Sequence, residues 1–312
     1  MILTLTLNAA LDVSYEVDAL VPGTSHRVRA VRQRAGGKGI NVARILHAAG
    51  HPVRVGGLAG GATGEILRAE LAAVGIPETL VTVAADSRRT MTVVSRATGE
   101  ATLLNEPGPL VTDAEWQRML EATRDLVTSM RVVIMSGSLP PGVPADAYAQ
   151  LVAVAREAGA ITIVDADGAT IAAALPAGPD VVMPNATELA AATGLTDRRA
   201  GVERLRTLGA GSVVATFGAE GLTADTPLGS WRGWLSEPVT PVNPTGAGDA
   251  CAAAVAAGLA RDASWPESLR DAVAWSAASV TAAVAGVVDA QMVARIMPNV
   301  RVEEFDDPRS NG

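Results

Sequence analysis

The stretch GGKGINVARILHAAGHPVRVGG, Gly36–Gly57, reads as a glycine-rich turn, a helix and a strand in immediate succession. Ile40, Val42, Ile45 and Leu46 recur at helical spacing, Gly50 stands where the helix should stop, and Val53–Gly57 is a short apolar run. Working outward, the same alternation continues. Short runs rich in Val and Ile (Ile2–Leu7, Val53–Gly57, Val132–Met135, Ile161–Val164, Val181–Met183, Ser212–Thr216) alternate with stretches of helical period at Ile40–Ala49, Glu65–Val74, Asp113–Thr128, Asp146–Ala158 and Ala200–Leu208. Strand, helix, strand predicts an α/β fold: a Rossmann-like, mostly parallel sheet with helices on both faces.

Two regions break the rhythm, Val13–Arg32 and Thr90–Asn105, the second with alternating runs TMTVVSR and ATLLN around a turn at Thr98-Gly99. Inserted among βα units, these strands are expected to form a small antiparallel sheet, a lid over the active edge, at about residues 13–33 and 89–106. The remaining chain is expected to be one domain, 1–302, with a loosely attached tail at 303–312.

Composition narrows the function. At 312 residues, 48% hydrophobic and 19% charged, the chain can bury a large core. A formal charge of −8 gives no general attraction to nucleic acid or anionic membrane, so a phosphate-bearing partner must be held by a local site and is expected to be small. The single cysteine, Cys251, excludes a disulfide framework, and MILTLTLNAALD carries no basic leader pattern, so a cytoplasmic location is expected. The uncharged stretch Ala272–Val288 is rich in Ala, Ser, Thr and Val and reads as a buried helix rather than a membrane span.

Lys38 is the only lysine among 25 basic residues. The loop holding it ends at a helix N-terminus, where glycines allow close backbone approach and amides favour anions or hydroxyls. Walker A is excluded because Gly39 follows the lysine, and the dinucleotide fingerprint because Val42 stands where its third glycine belongs. On spacing alone a structural turn fits equally well. A second cluster, VNPTGAGDACAAAVAAGLA (Val242–Ala260), opens from a Gly-rich loop into an Ala-rich helix with Asp249 in its first turn. The Gly246, Ala247 and Gly248 amides can form an anion-binding nest beside a base, although an acidic residue at a helix start also stabilises a helix without further purpose.

Taken together, seven segments resemble the ribokinase-like (PfkB) carbohydrate kinase family, in the branch containing 1-phosphofructokinase and tagatose-6-phosphate kinase. They are TLNAALDVSYEV (Thr6–Val17), AGGKGINVAR (Ala35–Arg44), LNEPGP (Leu104–Pro109), SGSLPPGVP (Ser136–Pro144), MPNATEL (Met183–Leu189), FGAEG (Phe217–Gly221) and NPTGAGDA (Asn243–Ala250), in family order over nearly the whole chain.

The resemblance implies an ATP-dependent kinase of a sugar hydroxyl, with a ketohexose phosphate (fructose 1-phosphate, fructose 6-phosphate or tagatose 6-phosphate) as the expected acceptor and magnesium as cofactor. A homodimer joined through the lid is expected on other grounds: a small sheet with strands such as Val13-Ser14-Tyr15-Glu16-Val17 is marginal alone and leaves edges and a face that a second lid would cover. It implies Asp249 as base and the Gly246–Gly248 amides as the phosphoryl cradle. Asp12, Gly37, Lys38, Asn41 and Ser138 correspond to the sugar clasp, with Arg27 and Arg89 on the lid for a substrate phosphate. Asn185 and Glu188, spaced Asn-x-x-Glu, correspond to the pair that organises magnesium waters, and the same residues also fit a helix N-cap with a first-turn acid. Asn185, Thr216, Gly218, Glu220 and Gly221 correspond to the nucleotide segment. The chain departs from the family pattern at Ala9, Met91, Met183 and Pro244, where Pro, Asn, Lys and a Ser, Thr or Val are usual. The alternatives are a kinase of an unphosphorylated sugar or nucleoside, or a non-catalytic sensor of sugar phosphate or nucleotide on the same fold.

Overall fold

The computed structural model describes residues 1–282, 284 and 286–305. In chain order the elements begin with β1 (Ile2–Thr6), β2 (Ala10–Val17), β3 (Val28–Gly36), α1 (Lys38–Ala48), β4 (Val53–Gly60), α2 (Gly61–Ala73), β5 (Glu78–Val83), β6 (Arg88–Ser95), β7 (Ala101–Asn105) and α3 (Asp113–Val127). They continue with β8 (Val132–Ser136), α4 (Ala147–Glu157), β9 (Ile161–Asp165), α5 (Gly168–Ala174), β10 (Val181–Val182), α6 (Ala186–Thr193), α7 (Arg198–Leu208) and β11 (Val213–Thr216). The last are β12 (Leu222–Thr226), β13 (Gly229–Leu235), α8 (Ala247–Ala260), α9 (Trp265–Val280), α10 (Ala290–Ile296) and β14 (Val300–Glu304).

The main sheet has ten strands in the order β14-β13-β12-β11-β10-β9-β8-β1-β4-β5. From β5 to β11 the neighbours are parallel, and β12, β13 and β14 extend that edge antiparallel. The alternation along β1 shows why both faces are covered. Leu3 and Leu5 join a core with Trp116 of α3 and Tyr148 of α4, whereas Ile2 joins the opposite core with α1, α8 and α9. Helix α8 is built almost wholly of small residues, which lets α9 approach closely. At Gly258 there is no room for a Cβ, because Ser268 of α9 occupies that space.

The second sheet, β3-β2-β6-β7, is the inserted lid. It is not wholly antiparallel, as expected above: β2 and β6 at its centre run parallel, with β3 and β7 antiparallel outside them. Both central strands set out from the same place, the C-terminal end of β1, where Arg88 Nε donates to Asn8 O (3.1 Å), and so they must point the same way. The lid base rests on α2, with Leu11, Val13 and Ala35 in one cluster with Leu67 and Leu71.

Three boundaries differ from the sequence reading. The helix expected over Ala272–Val288 is α9, which begins earlier, at a Ser264–Glu267 capping box, and ends at Val280; positions 283 and 285 lie outside the described residues. Of the tail expected over 303–312, Glu303 and Glu304 instead pair with Arg232 and Trp231 in the β13–β14 ladder, and 306–312 lie outside the described residues. The antiparallel extension β12–β14 and the edge strand β5 had no counterpart in the expected strands. Among the described residues, no helix is long and apolar enough to cross a membrane.

Candidate active site

Asp249 lies in the first turn of α8, 6% exposed. The helix starts at Gly246, whose φ of 93° is in the left-handed region that favours glycine. The first-turn amides of a helix have no intrahelical acceptor, and here no side chain caps them. A Cβ on Gly248 would meet no atom within 4 Å, so that side of the turn faces open space. Asn41 Nδ2 of α1 donates to Asp249 Oδ2 at 2.8 Å. Burial, and then the negative charge of Asp165, push the Asp249 carboxyl up to about 7, against the Asn41 hydrogen bond and the Lys38 charge. A carboxylate poised near neutrality suits a general base.

The lone lysine has two acidic partners. Lys38 Nζ is 3.0 Å from Asp165 Oδ1 at the end of β9 and 3.6 Å from Glu188 Oε1 on α6. Asp165 in turn accepts from Ser136 Oγ (2.9 Å) at the end of β8. These acids, Asp165 foremost, hold the Lys38 ammonium well above its ordinary range. Neither Asp165 nor Ser136 was picked out by the sequence reading. Only the parallel packing of β8 and β9 brings both strand ends to Lys38.

On the lid, Asp12 stands opposite Arg34 in the β2–β3 register and opposite Thr90 in the β2–β6 register. Its carboxylate fills the space over Gly36 where a Cβ would otherwise be. Burial raises the Asp12 pKa, with Arg34, Arg88 and Arg44 acting against it. Arg34 Nη2 donates to Asn41 Oδ1 at 3.2 Å, so Asn41 is held from both sides. Pairing register separates the neighbouring arginines on β6. Ala10 pairs with Arg88 and Leu11 with Arg89, so Arg88 shares the face of Asp12 and Arg89 points to the other. There Arg89 pairs with Glu106 at 3.3 Å. Arg27 is exposed in the loop before β3. Gly37, at φ 105°, caps α1 and connects the lid to Lys38. Ser138 is exposed in the loop after β8 and accepts from Asn8 Nδ2 at 3.1 Å.

A cavity of about 390 Å³ opens beside the α8 start, lined by Thr216, Gly218, Gly221, Ala247, Gly248 and Ser276 among others. The nucleotide candidates Thr216, Gly218 and Gly221 thus share a wall with two members of the glycine cradle. Glu220 does not join them. It is turned to Arg198 of α7 (2.7 and 2.8 Å) and lines a separate groove with Arg199 and Arg232. Asn185 and Glu188 form a capping box on α6: Asn185 Oδ1 accepts the Thr187 and Glu188 amides, and Glu188 Oε2 accepts the Asn185 amide. That leaves Glu188 Oε1 toward Lys38. Among the described residues no group of three or more His, Cys, Asp or Glu side chains is arranged to hold a metal directly. The donor set instead fits a hydrated magnesium ion, which is commonly held by one or two carboxylates and the substrate's phosphates. Met183 is 4% exposed, so the position where the family pattern has lysine is part of the core here.

Residues 5–289 match the model of the pfkB family carbohydrate kinases. The chain is 36% identical over 275 residues, 86% of its length and 80% of the relative's, to the ATP-dependent 6-phosphofructokinase isozyme 2 of Mycobacterium tuberculosis (strain CDC 1551 / Oshkosh). It superposes on the phosphofructokinase-2 of Escherichia coli in complex with fructose-6-phosphate with a TM-score of 0.87 at 30% identity, covering 95% of this chain and 98% of the other. A possible 1-phosphofructokinase from Thermotoga maritima gives a TM-score of 0.88 at 26% identity, covering 98% and 100%. The chain belongs to the pfkB family and is an ATP-dependent carbohydrate kinase.

Proposed function

We propose that this pfkB-family kinase transfers the γ-phosphoryl group of ATP to a hydroxyl of a ketohexose phosphate: fructose 1-phosphate, fructose 6-phosphate or tagatose 6-phosphate. One arrangement carries the reading: the buried Asp249 carboxylate and the open side of Gly248 are adjacent on one helix start, the carboxylate held by Asn41 and the glycine lining the nucleotide cavity. The phosphofructokinase names of the relatives support the choice of acceptor.

Asp249 takes the proton of the acceptor hydroxyl as that oxygen bonds to the γ-phosphorus. The bond to the bridging oxygen breaks, and ADP leaves with the electron pair. The Gly246, Ala247 and Gly248 amides face the moving phosphoryl oxygens. A base of this kind contributes ~10²–10⁴-fold, and preorganised donors contribute on a similar scale. Asp12, Gly37, Asn41 and Ser138 orient the sugar. Lys38 lends positive charge between the two ligands, and Arg27 and Arg88, the latter on the face of Asp12 where Arg89 was expected, meet the substrate phosphate from the lid. Thr216, Gly218 and Gly221 border the nucleotide, with Glu220 bracing the loop through Arg198. Magnesium, when bound, neutralises charge on the nucleotide phosphates. Glu188 would hold such an ion through water, and Asn185 fixes Glu188 through the capping box.

The chain acts as one kinase domain that runs at least to Glu304 at the end of β14, and its lid excludes water from the reacting phosphoryl group. The lid also joins two copies: Leu103 and Leu104 on the edge strand β7 are 50% and 51% exposed, an apolar edge that a partner lid covers. A coupled ADP-release assay across phosphorylated ketohexoses, free sugars and nucleosides tests the substrate class. Turnover of one of the three ketohexose phosphates well above all free sugars is expected. Preference for a free sugar or nucleoside moves the acceptor assignment there, and binding without turnover makes the protein a sensor.

A further inference from the structure

Arg34 Nη2 donates to Asn41 Oδ1 (3.2 Å), and Asn41 Nδ2 donates to Asp249 Oδ2 (2.8 Å). A guanidinium only donates and a carboxylate only accepts, so the two ends admit one orientation of the amide between them. Turned over, Asn41 would set N–H against N–H and oxygen against oxygen. Asn41 is 7% exposed, which leaves little water to relieve such a mismatch. The three residues come from three elements: Arg34 from lid strand β3, Asn41 from the first turn of α1 and Asp249 from the start of α8.

We infer that Arg34 is a positioning residue for the catalytic base: acting through Asn41 it fixes Asp249 Oδ2 and leaves Oδ1 for the acceptor hydroxyl. The inference rests on the role proposed above for Asp249. It also gives the lid a direct influence on the base, because Arg34 stands cross-strand from Asp12. The charges around Asp249 come from every side. Asp165 of β9 and Asp12 of β2 favour its protonated form, Lys38 of α1 favours the carboxylate, and Arg34 of β3 is attracted to it. Removing Arg34 therefore withdraws a cation and frees the amide that stabilises the ionised base, two effects of the same sign.

The test compares wild type with Arg34→Met and Arg34→Lys by two readouts. One is the pH profile of kcat/KM for the preferred sugar phosphate, which reports the ionisations of the free enzyme. The other is NMR titration of protein labelled at the aspartate carboxyl carbon, with the Asp249 signal assigned by its loss in Asp249→Asn. In Arg34→Met the Asp249 midpoint is expected to rise by about 0.5–1 unit, carrying the acidic limb of kcat/KM with it. Nucleotide KM should stay within about two-fold. Arg34→Lys, which keeps the charge, should recover most of the shift. An unmoved midpoint, or a loss of kcat/KM uniform across pH, overturns the inference. Arg34→Gln serves the same comparison if the methionine variant does not fold. A wild type that turns over no sugar defeats the kinase mechanism, and the NMR midpoint still decides the link from Arg34 to Asp249.

Discussion

Lys38 Nζ lies 3.0 Å from Asp165 Oδ1, joining the only lysine of the chain to the C-terminal end of β9. Asp165 is 4% exposed, and its second oxygen accepts from Ser136. Both carboxylate oxygens are thus committed.

Lys38→Met leaves Asp165 buried with one hydrogen bond fewer and no countercharge. Because the Lys38 side chain is 38% exposed, the loss should fall below that of a fully buried pair, at roughly 1–2 kcal/mol. Urea unfolding measures it. Adding Asp165→Asn to Lys38→Met should recover part of the loss, and full additivity of the two changes would mean that the pair is not coupled. In the kinase assay Lys38→Met should also raise KM for the sugar phosphate more than for ATP.

Asp249 sets the pH behaviour. Its carboxyl is raised from 3.8 to about 7 in the free folded chain, so kcat/KM for the sugar phosphate should rise with pH through an acidic limb near neutrality. The sign for stability is opposite. A folded-state carboxyl above its unfolded value binds more protons in the native state, so this group makes the fold less stable as pH rises from about 4 to 7. Asp249→Asn should lower kcat by ~10²–10⁴ with ligand affinities within a few-fold, since its amide oxygen can still accept from Asn41. Relative to wild type, the variant should gain more stability at pH 8 than at pH 5, as urea unfolding at the two pH values would show. An equal gain at both would contradict the raised carboxyl.

Gly248 separates folding from function. A Cβ there meets nothing within 4 Å, and alanine is the better helix former by about 0.5–1 kcal/mol. Gly248→Ala should therefore leave the melting temperature unchanged or higher, while the methyl group intrudes on the nucleotide side and raises KM for ATP or lowers kcat. Unaltered kinetics would show that phosphate passes elsewhere.

The lid edge predicts an oligomeric state. Light scattering should report a dimer at micromolar concentration. Leu103→Glu combined with Leu104→Glu should shift it to monomer with little change in unfolding temperature, because both side chains are half exposed within one protomer. A monomeric wild type with full activity would rule out the lid as an interface.

The sequence by itself determined the α/β alternation, because apolar runs buried on both faces of a parallel sheet and helices of regular period leave local patterns that distant contacts do not erase. It also marked Gly246–Asp249 and Gly36–Asn41 as loops opening into helices, since backbone conformations such as Gly246 at φ 93° strongly favour glycine. Strands β12 and β13 escaped notice because LTADT and GSWRGWL carry little apolar signal and are held by pairing with each other and with β14. Tertiary structure alone decided which side chains meet: that Asp165 and Glu188 take Lys38, that Glu220 turns from the nucleotide cavity to Arg198, and that Arg88 rather than Arg89 shares the face of Asp12. The reason is register. Successive side chains on a strand point to opposite faces, so a one-residue difference in pairing, which no local pattern records, exchanges the residue in the site for its neighbour outside it.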